Sequence, residues 1–334
     1  MPPQKTYWHL LDKQRLPSEY ELVSSHLHYY IGRGFEVHVP LQHWYQQYQQ
    51  GSPFTCRNWE QFADPRQTTY ATYTGLQAAK ETFVDGLLAF IEDSGYDQGL
   101  SATWLRILAR AFAPFRYPCH ALHMVACYIG QMGPSGRITL AGLFQAADEI
   151  RRVHRLAYRL RQLQLSHPGL GADSKALWQQ DALWQPLREA VETLLVTYDW
   201  GEAFTALNLV LKPLLDDLFL VHVGRLARQE GDYVLPQLFA SLHEDGQWQQ
   251  QWSQALVRTA LQDTPDNQQV LQQWVDKWSA VAVRAVRAFA PLFEHMPAQP
   301  EAIPFAQVMA QLDTSLQEHL TLAGLHNPSL DRYA

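Results

Sequence analysis

From about Gln67 onward this chain repeats apolar residues at helical spacing, and nowhere does it sustain the period-two alternation of a strand. That feature confines it to an all-α fold. Tyr70, Tyr73, Leu76 and the stretch Thr82 to Leu88 belong to one helix, ended near Gly95. Trp104, Leu105, Leu108, Ala109 and Phe112 follow after a Ser101 cap. His120 to Met132 is apolar almost all round, the mark of a buried helix. The turn Gly133-Pro134-Ser135-Gly136 precedes a helix from Thr139 to about Leu165, which His167-Pro168-Gly169 stops. Asp181 opens another, and the helical pattern runs on through Trp200 to Val210, beyond which Pro213 kinks or splits the chain. Helices from about Pro236 to Leu261, from Thr264-Pro265 through Phe289, and from Phe305 to Leu322 complete the set. The strongly apolar central helices predict a bundle with outer helices packed around a buried core.

The first 65 residues read differently. Trp8, Tyr20, Tyr29, Tyr30, Trp44, Tyr45, Tyr48, Phe54, Trp59 and Phe62 are scattered without helical period among Pro and Gly. Such a segment cannot build a core alone. It predicts an extended arm that lays aromatic area on another surface; composition equally allows an arm folded back on its own domain. The chain therefore divides into an arm (1–65), a helical bundle (66–290), and a Pro-rich linker with a C-terminal helix (291–334).

Composition closes off several function classes. Lys and Arg number 26 against 33 Asp and Glu, a formal charge of −7 over 334 residues, so the basic face that nucleic acid requires is not expected. The most apolar stretch, Leu207 to Val223, is interrupted by Lys212, Asp216 and Asp217, which argues against a membrane span. Met1 to Lys5 lacks the apolar core of a secretion signal. Cys56, Cys119 and Cys127 form no C-x-x-C pair, which fits a reduced, cytoplasmic protein. Charged residues are only 18% of the chain, which fits a protein that buries much surface against partners; the alternative is an ordinary surface on which Gln takes the place of Lys and Glu, as in the cluster Gln46, Gln47, Gln49 and Gln50.

A long helical bundle raises the question of a di-iron centre. That site needs Glu-x-x-His pairs, because i and i+3 share one helix face. No Glu or Asp in this chain has a His three positions later. Cys119, His123 and Cys127 have ligand spacing on a buried helix, with His120 beside them, yet small buried hydrophobes and a hydrogen-bonded core His have the same pattern. His26, His28, Glu36 and His38 lie in the arm without helical spacing, and Gly32-Arg33-Gly34 lacks the rest of a phosphate loop. No catalytic, cofactor or metal residue is assigned to the chain.

In its ordered series of short motifs the chain resembles the β subunit of the hydroxylase in bacterial multicomponent di-iron monooxygenases of the toluene, aromatic and alkene type. The motifs are Trp8-His9-Leu10, Pro17-Ser18-Glu19-Tyr20, Leu27-His28-Tyr29, Trp44-Tyr45, Ser52-Pro53, Trp59 with Phe62 and Asp64-Pro65, and Tyr70 with Tyr73. The clearest is Asp199-Trp200-Gly201-Glu202-Ala203-Phe204, continuing to Leu207-Asn208-Leu209-Val210 and Lys212-Pro213. Trp252-Ser253, Ala255-Leu256-Val257, Trp274-Val275 and Lys277-Trp278 follow. The loop Gly32 to Val39 and the tail beyond about residue 290 depart from the family pattern.

Two places resemble eroded copies of that family's metal motifs. In Asp148-Glu149-Ile150-Arg151-Arg152, Arg152 stands in the slot of the second ligand; in Asp245-Gly246-Gln247-Trp248-Gln249, Gly246 and Gln249 fill the ligand slots. Glu202 resembles the lone Glu of the second half-site. Arg152 is a permanent cation and has no lone pair to give, so its charge beside Glu149 would replace the metal's by an ion pair. From spacing alone, Glu149 and Arg152 read more simply as an ordinary surface i, i+3 pair.

The resemblance implies a ferritin-like (ribonucleotide-reductase-like) subunit that is not itself catalytic, carries no cofactor and supports an α subunit holding the di-iron centre. It also implies a small γ subunit, an (αβγ)2 hydroxylase, and an effector protein, a Rieske ferredoxin and an NADH reductase as further components. It favours laying the arm across α. The alternative is a stand-alone metal-dependent oxidase whose ligands would be sought among Glu81, His123, Glu149 and Glu202.

Overall fold

The computed structural model describes residues 15–26, 40–294, 303–326 and 328–333, and all regular structure among them is helical. Two short helices, α1 (Glu19–His26) and α2 (Pro40–Tyr45), precede the bundle. The long elements are α3 (Tyr70–Ser94), α4 (Ala102–Ile107) running through a π turn into α5 (Ala113–Met132), and α6 (Gly136–Ser166). Then come α7 (Ser174–Gln180), α8 (Gln185–Leu195), α9 (Trp200–Phe204), α10 (Lys212–Asp216), α11 (Gly224–Gln229), α12 (Leu235–Asp263), α13 (Asn267–Arg287), α14 (Ala290–Glu294) and α15 (Phe305–Ala323).

Local chemistry sets the boundaries. The side chains of Thr69, Ser101 and Ser135 each accept from the backbone N–H three residues on, which starts α3, α4 and α6. The oxygen of Asp199 accepts from Gly201 and Glu202 and begins α9, so the helical pattern is broken between Leu195 and Trp200 instead of running through. Helices α5 and α6 form a hairpin that crosses at two glycines: a Cβ on Gly142 would lie 2.8 Å from the Gly130 backbone, so only glycine lets the axes approach this closely.

Pro213 does not split the helix it sits in. From Trp200 to Gln229 the backbone stays helical, with π turns at Thr205–Leu211 and Asp217–Val223 on either side of α10. A π turn widens the coil, and a proline ring needs extra room against the carbonyl four residues earlier. The run is almost wholly buried and forms the axis of the molecule.

The expected arm is corrected over its described part. Phe54 and Phe62 are 1% and 0% exposed, as buried as any residue of the bundle. Phe54 stacks on Phe204 and packs against Trp200. Backbone groups of Thr55 pair with the side chain of Asn267, Arg57 pairs with Asp263, and Arg137 donates to the carbonyls of Glu60 and Phe62. Trp44 Nε1 donates to Tyr128, 3.0 Å away. Residues 40–65 are folded back onto their own bundle because their aromatics find pockets there. The motifs Trp8-His9-Leu10 and Leu27-His28-Tyr29, with Tyr30, Glu36, His38 and the Gly32 to Val39 loop, lie outside the described residues, as does most of the Pro-rich linker.

Candidate functional site: a buried ion-pair hub

The bundle's centre is charged. Glu149 and Arg152 from α6 meet Lys212 and Asp216 from α10, and all four are at most 3% exposed. Lys212 Nζ lies 2.8 Å from Glu149 Oε1 and 2.6 Å from Asp216 Oδ2. Arg152 donates to Asp216 Oδ1 at 2.6 Å and lies 3.5 Å from Glu149. Two cations thus stand against two carboxylates. Burial alone would raise the Asp216 carboxyl, but Arg152 and Lys212 outweigh it and hold Asp216 down at about 2. Glu149 and Arg152 are therefore no surface pair. A lone charge here would be severely destabilising, and each is matched.

Gly246 on α12 completes the hub by having no side chain. A Cβ there would lie 2.5 Å from Asp216 Oδ2. The Asp216 carboxylate fills the volume that a longer residue at 246 would occupy.

A second polar layer lies alongside. Asp148 accepts from Tyr73 at 2.8 Å, Gln77 at 2.7 Å and Gln249 at 3.1 Å. Burial and the neighbouring Asp245 push its carboxyl up to about 8. Asp245 accepts from Gln77, Lys80 and Arg151, and Arg151 continues to Glu81 and Ser241. This layer ties α3, α6 and α12 together.

These residues do not fit a di-iron centre. Arg152 and Lys212 hold the two hub carboxylates as ion pairs, Gly246 offers no atom, and Gln249 is engaged with Asp148. Among the described residues no group of three or more His, Cys, Asp and Glu is arranged to hold a metal ion. The ligands imagined for a stand-alone oxidase are dispersed. Glu81 pairs with Arg151 and Arg155, and His123 Nδ1 donates to the Ala146 carbonyl at 2.8 Å. Cys119 is buried near the hub with its thiol pushed up to about 12 by burial, and Cys127 lies 3.8 Å from His123 Nε2.

Glu202 requires a correction. It resembled a half-site ligand, yet it sits at the start of α9 and accepts from Lys277 at 2.6 Å and Trp278 Nε1 at 3.0 Å. The charges that face Glu149 and Arg152 in the hub come from Lys212 and Asp216. Their signal was in the sequence: two charges at i, i+4 inside an apolar run must be buried, and buried charges must find partners.

Comparison with known proteins gives the chain's family. The family described as methane/phenol/alkene hydroxylase matches residues 44–264. The hydroxylase component subunit beta of the toluene-4-monooxygenase system from Ectopseudomonas mendocina is 36% identical over 89% of this chain and 93% of its own. This chain belongs to that hydroxylase family. Its similarity to β and small subunits extends to the hydroxylase small subunit of propane 2-monooxygenase from Gordonia sp. strain TY-5, at 26% identity over 79% of this chain and 76% of the relative. A solved structure of toluene 4-monooxygenase with toluene in its resting active site has a chain that superposes with a TM-score of 0.80 at 36% identity, covering 86% of this β-type chain and 97% of the other. A chain of phenol hydroxylase from Pseudomonas sp. OX1 shares the fold, with a TM-score of 0.84 at 20% identity over 98% of each chain. The architecture is thus the ferritin-like helical bundle of these hydroxylase subunits. No described helix is long and apolar enough to cross a membrane.

Proposed function

We propose that this chain is the supporting β subunit of a hydroxylase that inserts oxygen into aromatic hydrocarbons or alkenes, with the di-iron chemistry carried by a larger α subunit. The observation that carries this reading is the neutral hub: Glu149, Arg152, Lys212 and Asp216 balance one another's charge, and among the described residues no donor set is arranged for iron. The similarity to toluene-4-monooxygenase subunit beta supplies the substrate class. The reading extends to a small γ subunit, an (αβγ)2 assembly, and an effector, a Rieske ferredoxin and an NADH reductase as separate components.

The test is to express the chain with and without its α subunit and to measure iron and toluene oxidation, adding the electron-transfer components. The isolated chain is expected to hold no stoichiometric iron and to oxidise nothing, while the co-expressed complex does both. Iron bound one or two per isolated chain, and lost on Glu149→Gln, would overturn the proposal.

A further inference from the structure

The outer face of α3 carries a regular repeat of exposed apolar residues. Leu76, Phe83 and Phe90 recur every seven residues and are 45%, 52% and 58% exposed. Ala79 and Gly86 stand between them, also exposed, so the series Leu76, Ala79, Phe83, Gly86, Phe90 advances by three and four in turn. This is the repeat of a coiled-coil seam, with bulky residues at one position and small ones at the other. Apolar side chains on such a seam normally enter holes on a facing helix, yet among the described residues nothing faces them.

The glycines sharpen the point. A Cβ at Gly75 or Gly86 would meet nothing within 4 Å. Glycine in mid-helix is costly and this chain's own packing does not require it at either place. It is required if another helix comes close, because small residues shorten the interaxial distance. The flank Gly75, Thr82 and Ala89 is uncharged, and the neighbouring Glu81 and Asp85 pair with Arg155 of α6. Depletion of charge with exposed aromatics marks the centre of a protein interface.

The patch continues onto α12. Lys80 lies 3.4 Å from Glu244, and the exposed stripe of α12 around that residue is Gln237, Ala240, Gln247 and Gln251. A seam of about two helical heptads covers too little area to hold a symmetric dimer by itself, since a stable interface takes about 800 Å² from each partner. The similarity to hydroxylase beta and small subunits points to a larger companion chain, which can lie over α3 and the glutamine stripe together.

We infer that the Leu76–Phe83–Phe90 seam of α3 receives a helix of the larger, iron-bearing subunit, whose apolar side chains pack over Ala79 and Gly86. This rests on the β-subunit reading of the chain's function.

The test uses the full chain co-expressed with that α subunit. Gly86→Leu fills the small position and Phe83→Ala removes a knob; Leu165→Ala, on the exposed part of α6, is the control. Both seam variants are expected to weaken association at least tenfold, and the control to leave it unchanged. Thermal unfolding of each variant alone is expected to match or exceed the parent for Gly86→Leu, which separates lost docking from lost folding. If the parent chain does not bind α, the β-subunit reading fails. If it binds and both seam variants bind equally well, this inference fails and that reading stands. A parent chain that dimerises alone and loses the dimer on Gly86→Leu would put a second copy on the seam and overturn the assignment.

Discussion

His319 on the C-terminal helix donates from Nε2 to the carbonyl oxygen of Asn208, 3.0 Å away, inside the π turn of the central helix. A π turn releases a carbonyl from the regular ladder, and a histidine from another element satisfies it. The other ring nitrogen accepts from Gln254 at 2.9 Å, so the ring is held neutral with its proton on Nε2. The segment after the Pro-rich linker is thereby fastened to the axis of the bundle.

Replacing His319 by Leu removes that donor. The Asn208 carbonyl and the Gln254 amide are left unpaired, and the loss is expected to be about 2 to 4 kcal/mol, most of it from the two stranded groups. Urea unfolding checks this; a midpoint within error of the parent would show that the pairing does not matter.

Burial holds both His319 and His222 down at about 4. The unfolded chain binds protons at these rings from about pH 6.5, the folded chain only near 4, so stability is expected to fall as pH drops through that window. Asp148, held up at about 8, acts oppositely: the folded chain keeps its proton to higher pH, so its contribution is lost as pH rises. The two signs are separated by comparing variants. His319→Gln is expected to flatten the acid limb between pH 6.5 and 4 in urea titrations; an acid limb as steep as the parent's would refute the assignment.

Two glycines on different helices are expected to respond to the same substitution in opposite directions. Gly246→Ala puts a Cβ 2.5 Å from Asp216 Oδ2 and forces a buried ion pair to shift, at a cost of about 1 to 3 kcal/mol. Gly86→Ala meets nothing within 4 Å and gains about 1 kcal/mol from helix propensity. Melting of the two variants beside the parent is the measurement, and a shift of the same sign in both would contradict the geometry.

Lys212→Met strands Glu149 and part of the charge on Asp216. The expected destabilisation is about 3 to 5 kcal/mol, as for other buried pairs broken from one side. Adding Glu149→Gln is expected to return a good part of it, since the pair then leaves together. A double variant no more stable than the single one would argue that the hub's charges are not coupled.

Deletion of residues 1–65 is expected to abolish cooperative unfolding, because Phe54 and Phe62 leave the core and Asn267 loses the backbone of Thr55. Circular dichroism on heating checks it; a sharp transition in the truncated chain would restore the idea of a separable arm.

The helices were legible in the sequence because periodicity and capping residues are local: Thr69, Ser101 and Ser135 act within one turn of their own helix. The absence of Glu-x-x-His was equally plain. The hidden features depended on distance in the chain. Asp216 and Gly246 are 30 positions apart, and only the fold shows that one carboxylate fills the space left by the other residue's missing side chain. Glu202 was misread because its motif is distinctive, while the partners that occupy it, Lys277 and Trp278, lie more than 70 residues away. Residues 40–65 misled for a related reason: aromatics without period look unattached until the pockets that hold them are seen.

The closure of the hub by side chains of opposite sign also bears on timing. A bundle that completes its centre from its own residues can reach its final shape on the ribosome's schedule, whatever the cell's metal supply. On the function proposed above, such a chain is ready as a rigid template before an iron-dependent companion has matured.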